Sequence, residues 1–194
     1  IFDPNQDRDR NTDSLALEYR ADISKKLTLA ASTRFDNNSE FKSATTARFE
    51  AIYELNEHSS IRSAYGTAIK NPTFTERFGF YTNFIGNPSL EPEESSSWEF
   101  GIDQKFFGDS FTLAATIFNS ELENEIDGNS IDPTTFGYTA LNKSGLSKRQ
   151  GIELNSFGKL TDKLFLKASY TYTDSVESDG KGRYQDEVRR PRNI

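Results

Sequence analysis

Apolar and polar positions alternate along much of this chain with a period of two. From Lys26 to Asp36, Leu27, Leu29, Ala31, Thr33 and Phe35 share one side, and Thr28, Ala30, Ser32, Arg34 and Asp36 share the other. From Ala44 to Leu55 one side reads Thr45, Ala47, Phe49, Ala51, Tyr53, Leu55, against Ala44, Thr46, Arg48, Glu50, Ile52, Glu54. Ser96, Trp98, Phe100, Ile102, Gln104 and Phe106 oppose Ser97, Glu99, Gly101, Asp103 and Lys105, and Leu164–Tyr172 repeats the pattern. Successive side chains of a strand point to opposite faces, so this spacing predicts β-strands with one greasy and one ionic face. Ile52, Phe118 and Phe165 break the rule from the polar side, and Gln104 from the apolar side.

The connections sort into two lengths. Short turns are expected near Ser24-Lys25, Asn56-Glu57, Gly108-Asp109 and Thr161-Asp162, and longer polar loops near Asn37–Phe41, Lys70–Glu94, Glu123–Tyr138 and Ser175–Arg190. Strand, short turn, strand, long loop is the rhythm of an outer-membrane barrel. A soluble β-sandwich fits less well, because its loops do not alternate in length. The predicted fold is therefore all-β: an antiparallel up-and-down transmembrane β-barrel segment of about eight strands, with a ninth starting at Pro191. Several runs reach the roughly 9–11 residues that a spanning strand needs, against about 5–6 in soluble proteins. Trp98, Phe106, Phe107, Tyr53, Tyr65, Tyr170 and Tyr172 lie toward strand ends, where aromatic girdles sit, although aromatics favour strands generally. Were Arg34, Arg48, Arg62 and Lys167 turned to lipid at the midplane, each would cost about 2–4 kcal/mol. Turned inward to water, they cost nothing of the kind.

Composition narrows the function. The 194 residues carry a net charge of −7, which argues against a nucleic-acid partner. With no cysteine, disulfides, thiolate metal sites and cysteine nucleophiles drop out. No apolar run approaches the length of a transmembrane helix, but barrels look hydrophilic on average, so this leaves the barrel reading intact. The start at Ile1-Phe2-Asp3-Pro4 has no signal-peptide pattern, so the chain reads as mature or as cut from something longer.

Three stretches resemble the TonB-dependent outer-membrane receptor family. Arg62 to Phe74 followed by Gly86-Asn87-Pro88-Ser89-Leu90-Glu91-Pro92-Glu93 is similar to the family's "F-K-A-P-T" corner and "N-P-x-L-x-P-E" strand entry. Ser95-Ser96-Ser97-Trp98-Glu99-Phe100-Gly101 resembles its "S-x-x-W/Y-E-x-G" strand. Asn142 through Gly151-Ile152-Glu153-Leu154 resembles its "N…G-[VI]-E" strand, and Ala168 to Tyr172 and Arg189-Arg190-Pro191-Arg192 follow in order. The resemblance spans nearly the whole chain and leans toward the cobalamin-type receptors, with siderophore-type members sharing the same wall motifs. It implies that residues 1–194 are a partial barrel domain of the bacterial outer membrane, without the plug domain or TonB-contacting segment. It further implies import of a scarce nutrient such as cobalamin or a ferric siderophore, with outer-membrane lipid, the TonB complex (through the plug) and the small-molecule ligand as partners. Physically, Asn71-Pro72 and Asn87-Pro88 are turn formers, and Pro92 sits at a strand start. Gly101 and Gly151 on the inner face leave room for something packed inside, or kink the wall.

No catalytic constellation is expected, and the chain does not read as an enzyme. Ser95-Ser96-Ser97 lacks the glycines of a nucleophile elbow, and Lys181-Gly182-Arg183 lacks the spacing of a phosphate loop. His58, the sole histidine, lies beside a short turn, where a structural role is the simpler reading. Glu121, Glu123, Glu125 and Asp127 are spaced as oxygen ligands for Ca²⁺, which assists substrate binding in some cobalamin-type receptors; a solvated charged rim is the plainer alternative. No other cofactor is expected. By loop position in the family, ligand contacts fall to Phe78, Phe80, Tyr81, Asn83 and Phe84, an aromatic cluster that suits a corrin ring or a siderophore aromatic, unless it packs against neighbouring loops. Two other functions compete: a small self-contained eight-stranded barrel acting as adhesin or structural protein, and a soluble carbohydrate-binding or hydrolase module, which needs a facing carboxylate pair.

Overall fold

The computed structural model describes residues 7–79, 83–178 and 183–187. Its strands in chain order are β1 (Thr12–Ser24), β2 (Leu27–Asn38), β3 (Ala44–Asn56), β4 (Ser59–Lys70), β5 (Phe84–Ile85), β6 (Glu93–Phe106), β7 (Phe111–Glu123), β8 (Ile126–Ile131), β9 (Tyr138–Asn142), β10 (Leu146–Thr161), β11 (Leu164–Ser178) and β12 (Tyr184–Asp186). One short helix, α1 (Phe74–Phe78), follows β4. Nine strands form one antiparallel sheet in the order β1-β2-β3-β4-β6-β7-β10-β11-β12, and β5, β9 and β8 make a second, three-stranded sheet.

The eight long strands run 12–16 residues. At about 3.4 Å per residue each is roughly 40–55 Å long, enough to cross a bilayer when tilted by about 45°. The ninth strand begins at Tyr184, ahead of the expected start; Pro191 itself lies outside the described residues. Short turns fall at one end of the sheet and long loops at the other, as the alternation of connection lengths requires.

Register aligns the apolar rows into one continuous outer face. Tyr19 pairs with Ala31, Ala31 with Phe49, Phe49 with Tyr65 and Tyr65 with Trp98; further along, Phe100 pairs with Ile117, Ile117 with Ile152 and Ile152 with Tyr172. These side chains stand exposed: Leu15 at 73%, Leu17 at 68%, Phe49 at 56% and Ile152 at 45%. A soluble protein rarely leaves so large a contiguous apolar patch uncovered, whereas a barrel wall turns it to hydrocarbon. There is accordingly almost no core. Among the described residues Leu90 and Ala140 are the buried hydrophobic side chains, and both sit in the long-loop region above the sheet.

The inner face is ionic and partly self-paired. Arg62 reaches Asp103 (3.2 Å), Glu99 (3.9 Å) and the Thr116 hydroxyl. The two glycines there make room for neighbours within the wall: a Cβ on Gly101 would lie 2.9 Å from the Arg62 guanidinium carbon, and one on Gly151 would lie 2.8 Å from the Phe118 ring and 2.0 Å from the Tyr172 carbonyl oxygen. Phe118 thus belongs on the polar side because Gly151 offers its ring a seat. Phe165 meets Phe157 edge-on at 5.1 Å. Among the described residues β1 pairs only with β2 and β12 only with β11, so the sheet is an open arc. A self-contained small barrel would require its end strands to bond to each other.

Candidate functional site at the long-loop end

Two long connections, 71–92 and 124–145, fold together above the wall. Pro72, fully buried, turns the chain out of β4, and Thr73 then caps α1. The Thr73 hydroxyl accepts the Glu76 N–H while the Glu76 carboxylate accepts the Thr73 N–H, a reciprocal capping box. Gly79 ends the helix at φ 71°, a conformation that favours glycine, and its backbone passes so close to Gly86 that a Cβ there would sit 2.3 Å from the Gly79 nitrogen. The chain then runs as β5 parallel to β9, pairing Phe84 with Tyr138 and Ile85 with Thr139.

Side chains from the strand-entry motif bolt these loops together. Asn87 Nδ2 donates to the Ala140 carbonyl (2.9 Å). Asn142 accepts the Glu91 N–H and donates to the Glu91 and Asn124 carbonyls (2.9, 2.9 and 2.7 Å). Glu93, 7% exposed, accepts the Ile126 N–H and pairs with Lys70 (2.7 and 2.6 Å). The motif residues Asn87, Leu90, Glu93 and Asn142 are therefore struts that order a small lobe.

The lobe is also tied to the first leaf of the wall. Arg77 bridges to Glu40 (2.5 Å) and lies over the Phe41 ring (4.9 Å) and the Phe78 ring (4.8 Å). Arg8 covers Phe78 at 3.6 Å, and Arg10 donates to the Pro72 carbonyl (2.8 Å) while stacking on Phe74 (5.3 Å). Guanidinium–aromatic contacts of this kind stabilise by about 0.5–1 kcal/mol each where exposed.

The expected ligand contacts divide. Phe78 is half-buried between the two arginines, and Phe84 is half-buried in β5. Asn83 is exposed, its carbonyl accepting the Tyr138 N–H (3.0 Å). Phe80 and Tyr81 lie outside the described residues. The four acidic residues do not converge. Glu121 pairs with Lys148 (3.1 Å), and Glu125 with Arg149 (3.3 Å) and the Ser147 hydroxyl. Asp127 accepts from Asn129 N–H and Ser130 Oγ, and Glu123 is exposed on the outer face that it shares with Glu121. Among the described residues no three acidic or histidine side chains are placed to hold a metal ion. His58 pairs with Asp109 (3.0 Å) across two short turns at the far end.

Sequence reasoning missed the most exposed aromatic among the described residues of the lobe. Phe136 stands 83% exposed at φ 57° on the β8–β9 hairpin, with Ile131 (61%) and Tyr138 (55%) beside it. Asp132 builds that tip: its carboxylate accepts the Thr134 and Thr135 N–H groups and the Thr135 hydroxyl (2.9, 2.8 and 2.9 Å). Those bonds to Thr135 first, then Thr134, hold the Asp132 carboxyl below its ordinary value. The Asp132-Pro133-Thr134-Thr135 turn signal was the available clue.

The wall and lobe have counterparts among known proteins. The model of the family described as "TonB dependent receptor-like, beta-barrel" matches residues 2–194. The probable TonB-dependent siderophore receptor PiuA of Acinetobacter baumannii is 32% identical over 155 residues, which is 78% of this chain and 20% of that protein. The vitamin B12 transporter BtuB of Vibrio cholerae is 32% identical over 128 residues, 66% of this chain and 19% of that protein. The chain thus spans about a fifth of the length of these curated relatives. Among solved structures, the siderophore receptor PirA from Pseudomonas aeruginosa superposes with a TM-score of 0.75 at 21% identity, covering 86% of this chain and 32% of that one. With an outward apolar wall, long loops gathered at one end and a family match along nearly its full length, the chain belongs to the TonB-dependent receptor β-barrel family and forms part of an outer-membrane barrel wall.

Proposed function

We propose that this chain is wall and ligand-facing lobe of an outer-membrane importer that takes up a large metal chelate, a ferric siderophore or cobalamin, rather than an enzyme. The observation that carries this reading is the two-faced sheet: exposed apolar rows outside, ionic rows inside, and an ordered lobe overhanging the long-loop end. The names of PiuA and BtuB support the substrate class. In this reading TonB acts through parts of the protein beyond these residues, and the wall holds the lobe and lines the passage. Phe136, Tyr138 and Asn83 offer rings and an amide toward the outside, chemistry that fits a conjugated chelate. Any calcium would have to recruit Glu123, the one of the four candidates without a side-chain partner among the described residues. Deleting the full gene and supplying cobalamin or defined ferric chelates as the sole source tests the proposal. Growth should fail on one of these and return with the intact gene, and unimpaired growth on all of them refutes it.

A further inference from the structure

The wall is not evenly stitched. β3 stays paired to β2 out to Ala44, and β4 stays paired to β6 out to Lys70, but the β3–β4 ladder stops at Arg48–Gly66. Beyond it Ala44–Ala47 and Thr67–Lys70 part, over about 13 Å of strand. The Thr67 hydroxyl accepts the Ala47 N–H (3.1 Å) in place of a backbone carbonyl. A cleft of about 710 Å³ occupies the parting. The small side chains of Ala44, Ala47, Thr67 and Ala68 offer little cross-strand packing to hold it shut. The break falls one residue above the aromatic row Phe49–Tyr65–Trp98, and such rows mark the headgroup level of a bilayer. Below that level each backbone group needs a partner within the protein, whereas above it water can serve. The ladder therefore ends where an open sheet becomes tolerable.

Two leaves meet at this parting: β1–β3 with residues 8–11 and 40–43, and β4 onward with the lobe. Side chains tie them together above the break. Arg77, just past β4, bridges to Glu40, just ahead of β3, and stacks on Phe41. Arg10 reaches the Pro72 carbonyl and the Phe74 ring, and Arg8 covers Phe78. Arg77 is the most confined of these ties, with its side chain 11% exposed. Its Nε is buried and lacks an acceptor among the described residues, a deficit that water removes once the contact opens. Glu40 lines the cleft together with Glu91, Glu94, Glu121 and Glu123, against Lys42. Arg77 thus neutralises the carboxylate that the first leaf adds to an acidic gap. Without it, like charges favour a wider one.

We infer that the β3–β4 parting is a hinge in the barrel wall and that Arg77 latches it. With the Arg77–Glu40 contact released, β1–β3 swing away from the lobe above Arg48–Gly66 and widen the gap beneath it. The inference rests on the wall being a membrane barrel, not on what it imports. Spin labels on the full-length receptor in nanodiscs test it. One pair, Thr33→Cys with Ser96→Cys, lies above the hinge, and the other, Leu29→Cys with Phe100→Cys, lies below; both span β2 to β6. Arg77→Met should lengthen the upper distance by roughly 5 Å, one strand spacing, and leave the lower distance unchanged. Glu40→Gln, which leaves the stacked rings in place, should act in the same direction and carries the test if Arg77→Met does not assemble. Exchanging the charges, Arg77→Glu with Glu40→Arg, should restore the short distance. Heat-modifiable migration on gels is the folding control for each. No chelate enters these measurements, so their failure leaves the import reading standing. An upper distance unmoved by both single variants, equal lengthening of both pairs, or no recovery in the exchange would each overturn the proposal.

Discussion

Two glycines on the inner face separate soft from hard constraints. At Gly101 the nearest atoms belong to the far end of the Arg62 side chain, which can swing away. Gly101→Ala should therefore fold, losing the Arg62–Thr116 hydrogen bond and about 1 kcal/mol. At Gly151 the obstacle is the backbone carbonyl of Tyr172 on the paired strand, so Gly151→Ala should sharply reduce the heat-modifiable, assembled barrel on gels. At the lobe tip, Asp132 makes a pH prediction. A depressed carboxyl stabilises its turn above the unfolded value, and the contribution fades as pH falls through the lowered folded value, below the ordinary 3.8. Amide protection at Thr134 and Thr135, taken relative to the intrinsic exchange rate at each pH, should fall on going from pH 5 to below that point, and Asp132→Asn should remove the acid-dependent step.

Strand by strand, the main sheet was legible because a side-chain period of two shows directly in the sequence, and one buried or lipid-facing side fixes the register. Ile117 points outward and Ser169 inward on the same sheet. Ile117→Lys should cost about 2–4 kcal/mol in urea titrations of the barrel refolded into vesicles, and Ser169→Lys should stay within about 0.5 kcal/mol. The small sheet was not legible. β5, β8 and β9 have two, six and five residues, too few for alternation to register, and the β5–β9 pair joins segments more than fifty positions apart. The capping box at Thr73 and Glu76 was written in the sequence as T-x-x-E, yet a five-residue helix inside a long loop leaves no periodic trace. Gly101 and Gly151 were visible as inward glycines, while the identity of what fills their space depended on cross-strand register. For the site, Phe78 and Phe84 were named by loop position and lie half-buried in the lobe, and Phe136 was passed over because in the 123–138 stretch only the carboxylates Glu123, Glu125 and Asp127 were singled out.

For the molecule as a whole, the parallel pairing of Phe84-Ile85 with Tyr138-Thr139 makes one body of two connections. Asn87 and Asn142 lock the same joint, and Arg77 carries it across to Glu40. The ordinary picture of surface loops is of parts exchanged one at a time without disturbing the frame. Here that freedom is lost. Grafting 71–92 alone from a relative should leave Ala140 uncovered and yield a receptor readily clipped by trypsin at the lobe. Transplanting 71–92 and 124–145 together should restore protease resistance and carry the donor's chelate preference with it. A change of diet in such a receptor thus has to be inherited as a matched pair of insertions.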